Sequence, residues 1–302
     1  MQSIRGPPWT QIQTNHDFVV VPQVLSQSEC SLIAQYFLDL PRSERAKINY
    51  FNFNLPERPP LFVKYGGRDL LAEAGTQTFF HALAQRDTSA PGIPAVYNAF
   101  RENGYYFLVM EKVDLPTLGA CNSIPNEVAV KSVAFAVGWL LAQRPAVPAS
   151  LFGRISASEA CVWHPFFKGH QAPVPFVSSE AVAKYINKAL TRCRRNATPP
   201  ISLPNDLSIC HSDIREDNFL INVATGRVWV VDFQHIAVLP KVFQQYAFFN
   251  IGSSFAGNVG KFLGHQQPDI VEAMVKASGV LQQIGGDGSL GLDKFGEDRS
   301  TN

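Results

Sequence analysis

The amino-acid sequence predicts an α+β protein with two parts, a small antiparallel sheet with one helix inserted in it and a mainly helical remainder. In the first third of the chain, turn-forming residues at 54–60 and at Asn103-Gly104 separate short apolar runs, which favours hairpins. In the remainder, apolar residues recur mostly at helical spacing. With 302 residues, 46% of them hydrophobic and 17% charged, the chain can bury a sizeable core.

Hydrophobic periodicity defines the elements of the first part. A strand is predicted over 17–25 and a helix over 28–40. The residues that would share one face of this helix are Leu32, Ile33, Tyr36, Phe37 and Leu40. The elements that follow are strands over 48–53 and 61–65, a helix over 70–84, and strands over 95–100 and 105–113.

The second part begins with an almost uncharged stretch over 126–143, which is closed by Pro145 and predicts a helix buried on several sides. Ser178 or Ser179 can cap a helix that continues to Arg194. The later elements are short strands over 207–210, 219–223 and 228–231 and helices over 242–249 and 269–284. Residues 285–302 are rich in Gly, Ser and Asp, so we expect this tail to be disordered.

Charge and cysteine usage narrow the classes of partner and location. The 26 Lys and Arg against 25 Asp and Glu leave a formal charge of +1, so we expect neither nucleic acid nor a membrane as a partner. Five scattered cysteines without a C-x-x-C pair indicate neither a disulfide framework nor a zinc site, which favours a cytoplasmic location. No targeting segment, membrane-spanning run or obligate protein partner is evident in the sequence.

The segment that carries chemistry is an H-x-D-x-x-x-x-N motif, formed by His211, Asp213 and Asn218 and followed by a hairpin and Asp232. Phosphoryl transfer from ATP needs a carboxylate to accept the proton of the attacking group, and oxygen ligands for Mg²⁺. Asp213 can be the carboxylate that accepts the proton, and Asn218 and Asp232 can supply the oxygen ligands for Mg²⁺. The alternative is a loop in which the same residue types cap backbone groups and form turns.

With these residues in place, the sequence resembles the aminoglycoside phosphotransferase and choline kinase group of small-molecule kinases, including fungal members of unassigned substrate, over about residues 60 to 250. The resemblance implies that Lys64 contacts the nucleotide phosphates and that Glu73 orients it. Backbone groups of Glu111 and Val113 would bind adenine. The residues that match the catalytic and metal positions are His211, Asp213, Asn218 and Asp232.

The resemblance also implies a two-lobed protein-kinase-like fold, with an antiparallel-sheet N-lobe over 1–110 and a hinge and helical C-lobe over 111–284, followed by the tail over 285–302. Three features depart from the family pattern. No glycine lies between Gly6 and Gly66, so the Gly-rich phosphate loop is missing. Ser212 stands where Gly is usual, and Gln234 where protein kinases have Gly. Arg215 stands where protein kinases keep a Lys, which makes it a further catalytic candidate.

No A-P-E segment follows Asp232, which favours a small-molecule acceptor over a protein substrate. The sequence thus predicts a phosphotransferase, dependent on ATP and Mg²⁺, that acts on a hydroxyl or amine of a small metabolite. The competing hypothesis is a pseudokinase or binding module that keeps the fold without phosphoryl transfer. A third is a kinase-fold enzyme whose cleft serves other chemistry.

Overall fold

A computed structural model of the chain describes residues 9–14, 17–22, 24–144, 152–155, 161–193, 198–250, 252–285 and 288–299. The chain divides into two compact units. The first contains the described residues up to Leu115 together with Val231–Gln234. The second contains Pro116–Val230 and the described residues from His235 onward.

The centre of the first unit is a four-stranded antiparallel sheet in the order β3-β4-β6-β5, and a separate β1–β2 hairpin precedes it. Its strands are β1 (Trp9–Thr14), β2 (Asp17–Pro22), β3 (Tyr50–Phe53), β4 (Leu61–Gly66), β5 (Val96–Glu102) and β6 (Tyr105–Glu111). Its helices are α1 (Gln27–Asp39), α2 (Arg42–Arg45) and α3 (Asp69–Ala84). The turn between β5 and β6 has positive φ at Asn103 (50°) and Gly104 (83°), the conformation that the Asn-Gly pair predicts.

Helix α1 buries a different arc of its surface from the one that the sequence predicts. Ile33 and Phe37 are buried as expected, but Leu32 is 55% exposed and Tyr36 is 41% exposed. Cys30 and Ala34 complete the buried arc. At about 100° per residue, Leu32 and Tyr36 lie on one edge of the predicted face. The face of α1 that contacts the sheet is therefore rotated away from Leu32 and Tyr36, toward the smaller residues Cys30 and Ala34.

The two faces of the sheet pack against different helices, because successive strand side chains alternate between faces. Val63, Phe107 and Val109 pack with α1 in one hydrophobic cluster. Leu108 and Met110 pack with α3 in another.

In its described residues the second unit is mainly helical and contains two two-stranded antiparallel sheets, β7 with β10 and β8 with β9. Its strands are β7 (Leu207–His211), β8 (Phe219–Ile221), β9 (Val228–Val230) and β10 (Ile236–Pro240). Its helices are α4 (Asn126–Ala142), α5 (Ser179–Thr191), α6 (Lys241–Phe249), α7 (Ser254–Phe262) and α8 (Asp269–Gln283). Helix α5 has the predicted serine cap, since Ser178 Oγ accepts a hydrogen bond from the Ala181 N–H at 3.1 Å.

Helix α7 and strand β10 have no counterpart among the elements that the sequence predicts. Gly257 and Gly260 lower the helical propensity of α7. Gly260 has a packing role, because a Cβ there would lie 2.6 Å from Cγ of the buried Phe248. The close contact between α6 and α7 therefore stabilises a helix that local preference disfavours.

The tail differs from the expected disorder over residues 288–299. Leu290 and Leu292 are buried in the hydrophobic core of the second unit. Lys184 and Lys188 on α5 form ion pairs with Glu297 and Asp298. The two buried leucines and the ion pairs together anchor a segment whose average composition is polar. Residues 286–287 and 300–302 lie outside the described part of the chain.

None of the helices in the described part of the chain is both long and apolar enough to cross a membrane.

Candidate active site

Lys64 lies at the centre of the sheet of the first unit, on the face that packs against α3. Its strand neighbours are Tyr50 on β3 and Leu108 on β6. The Lys64 ammonium donates hydrogen bonds to Glu73 Oε1 at 2.6 Å and to Asp232 Oδ1 at 3.0 Å. Three charged residues from distant parts of the sequence thus form one cluster.

The cluster is largely shielded from water: the exposed fraction of the side chain is 15% for Lys64 and 1% for Glu73. Burial alone lowers the pKa of Lys64, but the carboxylates of Glu73 and Asp232 outweigh it and raise that pKa above its usual value. Lys64 therefore stays protonated near neutral pH and offers a fixed positive charge.

Asp232 is held in a backbone conformation that few residues other than glycine adopt, with φ of 65°. The next residue, Phe233, is fully buried and its ring centroid lies 5.8 Å from that of Phe80 on α3. The buried phenylalanine anchors the turn, and its neighbour Asp232 remains 26% exposed beside Lys64. Strained backbone of this kind persists where surrounding contacts hold it and is frequent at functional sites.

Glu111 and Val113, the expected adenine-binding residues, lie at and just beyond the end of β6. The Glu111 N–H donates to the Ala95 carbonyl at 2.8 Å. Its carboxylate accepts from the Ala95 N–H at 3.1 Å. An adenine contact at Glu111 would therefore use its carbonyl oxygen. Val113 is half-buried.

In the family pattern a Gly-rich loop precedes the strand that carries the lysine. In this segment the structure instead has the short helix α2, followed by residues that are attached to the sheet by hydrogen bonds. The Tyr65 hydroxyl donates to the Ile48 carbonyl at 2.6 Å and lies 3.2 Å from that of Arg45. The segment that leads into β3 is thereby attached to the sheet.

The residues predicted to form the catalytic loop belong to the second unit and lie at and beyond the end of β7. His211 is the last residue of β7 and is fully buried, with its ring 6.1 Å from that of Phe219. In this conformation, His211 supports the loop from inside the unit.

Asp213 has both carboxylate oxygens engaged by neighbours within the loop. Arg215 contacts them from outside, with Nε 2.8 Å from Oδ1 and one terminal nitrogen 3.1 Å from Oδ2. Asn218 Nδ2 donates to Oδ2 and to the Asp213 carbonyl, each at 2.9 Å. The exposed fraction of the side chain is 17% for Asp213 and 57% for Arg215.

Asn218 is oriented by this contact. Because its amide nitrogen donates twice to Asp213, its Oδ1 points away from that residue, and among the described residues it accepts no hydrogen bond. Carboxylate and amide oxygens are the ligands that Mg²⁺ prefers, so Asn218 Oδ1 and the Asp232 carboxylate fit this ion chemically.

The structure thus brings Lys64, Glu73 and Asp232 together in the first unit, and His211, Asp213, Arg215 and Asn218 together in the second. A contact at this loop that the sequence did not predict is made by Gln244 on α6, which hydrogen-bonds the backbone of His211. Its sequence signal is weak, since a lone glutamine on an amphipathic helix is usually a surface residue.

A sheet unit with a buried Lys-Glu-Asp cluster and a helical unit with an H-x-D-x-x-x-x-N loop define a kinase-like phosphotransferase. The model of the phosphotransferase enzyme family matches residues 68–240, more than half of the chain. The chain belongs to this family, which confirms the resemblance in the sequence and the expected enzyme class, a small-molecule kinase.

One solved structure supports the fold, and two others show weaker similarity. Aminoglycoside phosphotransferase APH(4)-Ia is similar with a TM-score of 0.50 and 14% identity, covering 86% of this chain and 91% of that chain. A thermostable mutant of the same enzyme, in a ternary complex with AMP-PNP and hygromycin B, is similar with a TM-score of 0.47 and 12% identity, covering 85% of this chain and 91% of that chain. Aminoglycoside-3'-phosphotransferase of type VIII is similar with a TM-score of 0.42 and 15% identity, covering 79% of this chain and 96% of that chain. No curated protein sequence matches the chain.

Proposed function

We propose that this protein uses ATP and Mg²⁺ to phosphorylate a hydroxyl or amine of a small metabolite in the cytoplasm. The observation that carries the proposal is the contact of Lys64 with both Glu73 and Asp232, the latter 168 residues away in the sequence. A strand lysine held by a helix carboxylate beside a metal-binding aspartate is the arrangement that kinase-type phosphoryl transfer uses.

Lys64 supplies positive charge to the nucleotide phosphates, and Glu73 holds its ammonium in place. Since Glu73 is buried and the pKa of Lys64 is raised, this charge is preorganised and does not depend on pH near neutrality. Preorganised charge is the main source of stabilisation in phosphoryl transfer.

Asp232 and Asn218 are the proposed ligands of Mg²⁺, through a carboxylate oxygen and the amide Oδ1. An ion held by these two oxygens would neutralise part of the phosphate charge. Lys64 in turn balances the charge of Asp232 in the free protein, at 3.0 Å.

Asp213 is the proposed acceptor of the proton from the substrate hydroxyl or amine. Asn218 fixes the orientation of its carboxylate, and Arg215 holds the same carboxylate from the solvent side. Arg215 is exposed enough to move away when an acceptor arrives. His211 supports the backbone of this loop, and the Glu111 carbonyl and Val113 backbone would contact adenine.

Isothermal titration calorimetry with ATP in the presence and absence of Mg²⁺ tests the nucleotide part of this proposal. Asp232→Ala should abolish the Mg²⁺-dependent gain in affinity, because it removes a metal ligand. A matched control is Asp39→Ala, which removes an exposed carboxylate elsewhere in the first unit and should leave binding unchanged. Unmodified protein that binds no nucleotide at millimolar concentration with Mg²⁺ would refute the proposal.

A second candidate function, nucleotide binding without phosphoryl transfer, is favoured by one observation: the chain has no glycine between Gly6 and Gly66 to form a phosphate loop. An assay of ADP release across a panel of small hydroxyl and amine compounds separates the two. Acceptor-dependent release that Asp213→Asn abolishes supports the kinase. Binding with no release for any acceptor class supports the alternative.

A further inference from the structure

The backbone of the catalytic loop is held by a side chain from helix α6. Gln244 Oε1 accepts a hydrogen bond from the His211 N–H at 2.7 Å, and Gln244 Nε2 donates to the His211 carbonyl at 3.2 Å. Gln244 is 1% exposed. One neutral amide therefore satisfies both backbone groups of a buried residue two positions before Asp213.

The next residue, Ser212, is held by a second set of contacts. Its N–H donates to the His235 carbonyl at 3.0 Å. Its hydroxyl lies 3.2 Å from the Trp163 carbonyl and 3.3 Å from the His235 carbonyl. Glycine, which is usual here in the family that the sequence resembles, could not supply this hydroxyl contact.

These contacts fix both residues that lead into Asp213. Strand β7 ends at His211, so no further β7–β10 ladder pair restrains the chain beyond it. A glutamine amide suits the His211 site better than a carboxylate, because it matches one donor and one acceptor without placing a charge in a buried environment.

We propose that Gln244 and Ser212 are positioning residues that set the location of Asp213 for proton transfer, with Ser212 adding a contact that glycine cannot make. This inference rests on the proposed role of Asp213 as proton acceptor. Displacement of a catalytic group by about 1 Å can lower a rate by about a hundredfold, so loss of these contacts should affect turnover more than nucleotide binding.

The test uses the full chain with Mg²⁺ and ATP as the probe, and follows ADP release with water as the acceptor. Gln244→Met keeps the volume and removes both hydrogen bonds, and Ser212→Ala removes only the hydroxyl. The matched control is Gln245→Met, at the adjacent, half-buried helix position, whose side chain forms no hydrogen bond with the described residues. We expect kcat to fall about 10- to 100-fold in Gln244→Met and less in Ser212→Ala, with KM for ATP within about twofold.

The same substitutions in an Asp213→Asn background distinguish positioning from general destabilisation. If Gln244 acts through Asp213, Gln244→Met should cause little further loss once Asp213 is replaced. Equal losses in both backgrounds, or an unchanged kcat in Gln244→Met, would overturn the inference.

Amide hydrogen exchange provides a readout that does not need turnover. The amides of residues 211–213 should exchange faster in Gln244→Met than in Gln245→Met, while the rest of α6 stays protected. If the unmodified protein releases no ADP with water or with any compound of the acceptor panel, the proposed kinase function fails, and exchange still decides whether Gln244 anchors the loop. Unchanged exchange at 211–213 would show that it does not.

Discussion

Removal of the Lys64 ammonium should destabilise the first unit by an amount that depends on Glu73. The Glu73 side chain is 1% exposed and lies 2.6 Å from Lys64 Nζ. Lys64→Met removes the cation that neutralises this buried carboxylate, and breaking a buried pair from one side costs about 3 to 5 kcal/mol. Glu73→Gln leaves Lys64 in contact with Asp232, so we expect a smaller loss, about 1 to 3 kcal/mol.

The double variant Lys64→Met/Glu73→Gln removes both charges of this pair. Its loss of stability should fall short of the sum of the single losses by about 1 to 3 kcal/mol, because Glu73, which is 1% exposed, is then neutral and needs no counterpart, while the charge of Asp232, which is 26% exposed, is partly solvated. Urea unfolding of the four proteins at neutral pH measures this coupling. The exposed Lys131 on α4 provides the control: Lys131→Met should change stability by less than about 0.5 kcal/mol. Losses that add within about 0.5 kcal/mol would refute the ion pair as an energetic unit.

Three further predictions address the second unit. His164 is fully buried, and burial lowers its pKa to about 3, so below about pH 6.5 the unfolded chain binds a proton that the folded chain does not; the free energy of unfolding should therefore fall by about 2 kcal/mol between pH 7.5 and 5. Urea denaturation at both pH values should show that this loss disappears in His164→Gln and persists in the control His170→Asn, which changes an exposed histidine. Asp213→Asn should lower acceptor-dependent ADP release by about two to four orders of magnitude with nucleotide affinity retained, and equal loss of both would argue against a proton-transfer role. Gly260→Ala should lower the melting temperature, because the added Cβ would lie 2.6 Å from Cγ of Phe248. Gly257→Ala on the same helix should not, because its Cβ would lie 3.6 Å from the nearest atom, the Phe248 carbonyl oxygen; equal melting temperatures of the two variants would contradict the packing argument.

Local pattern predicted most elements of the fold because their signals are local. Alternating apolar runs gave the β3–β4 and β5–β6 hairpins, and Ser178 marked the start of α5. The missed elements depend on contacts between distant residues. Helix α7 requires the contact of Gly260 with Phe248, and the tail depends on Leu290 and Leu292 reaching the core.

The same distinction applies to the candidate site. Asp213 and Asn218 lie within one loop, so their spacing predicted that they would be neighbours. Asp232 was assigned from the hairpin that follows the H-x-D-x-x-x-x-N motif, but Lys64 was assigned only by resemblance to a family. Nothing local in the sequence links these two residues, which lie 168 positions apart. Gln244 was missed because its partner is backbone, and backbone atoms carry no sequence signal.

The missing glycines bear on nucleotide affinity more than on chemistry. A Gly-rich loop contributes backbone N–H donors to the phosphates, whereas the proposed proton acceptor is Asp213, on a loop held by its own hydrogen bonds. The charge of Lys64 is likewise secured by Glu73 and Asp232, without help from the segment before β3. A kinase that lacks these donors should bind ATP weakly and still turn over once saturated. Weak affinity alone is therefore no argument for a pseudokinase, and the rate at saturating ATP is the quantity that separates the two functions.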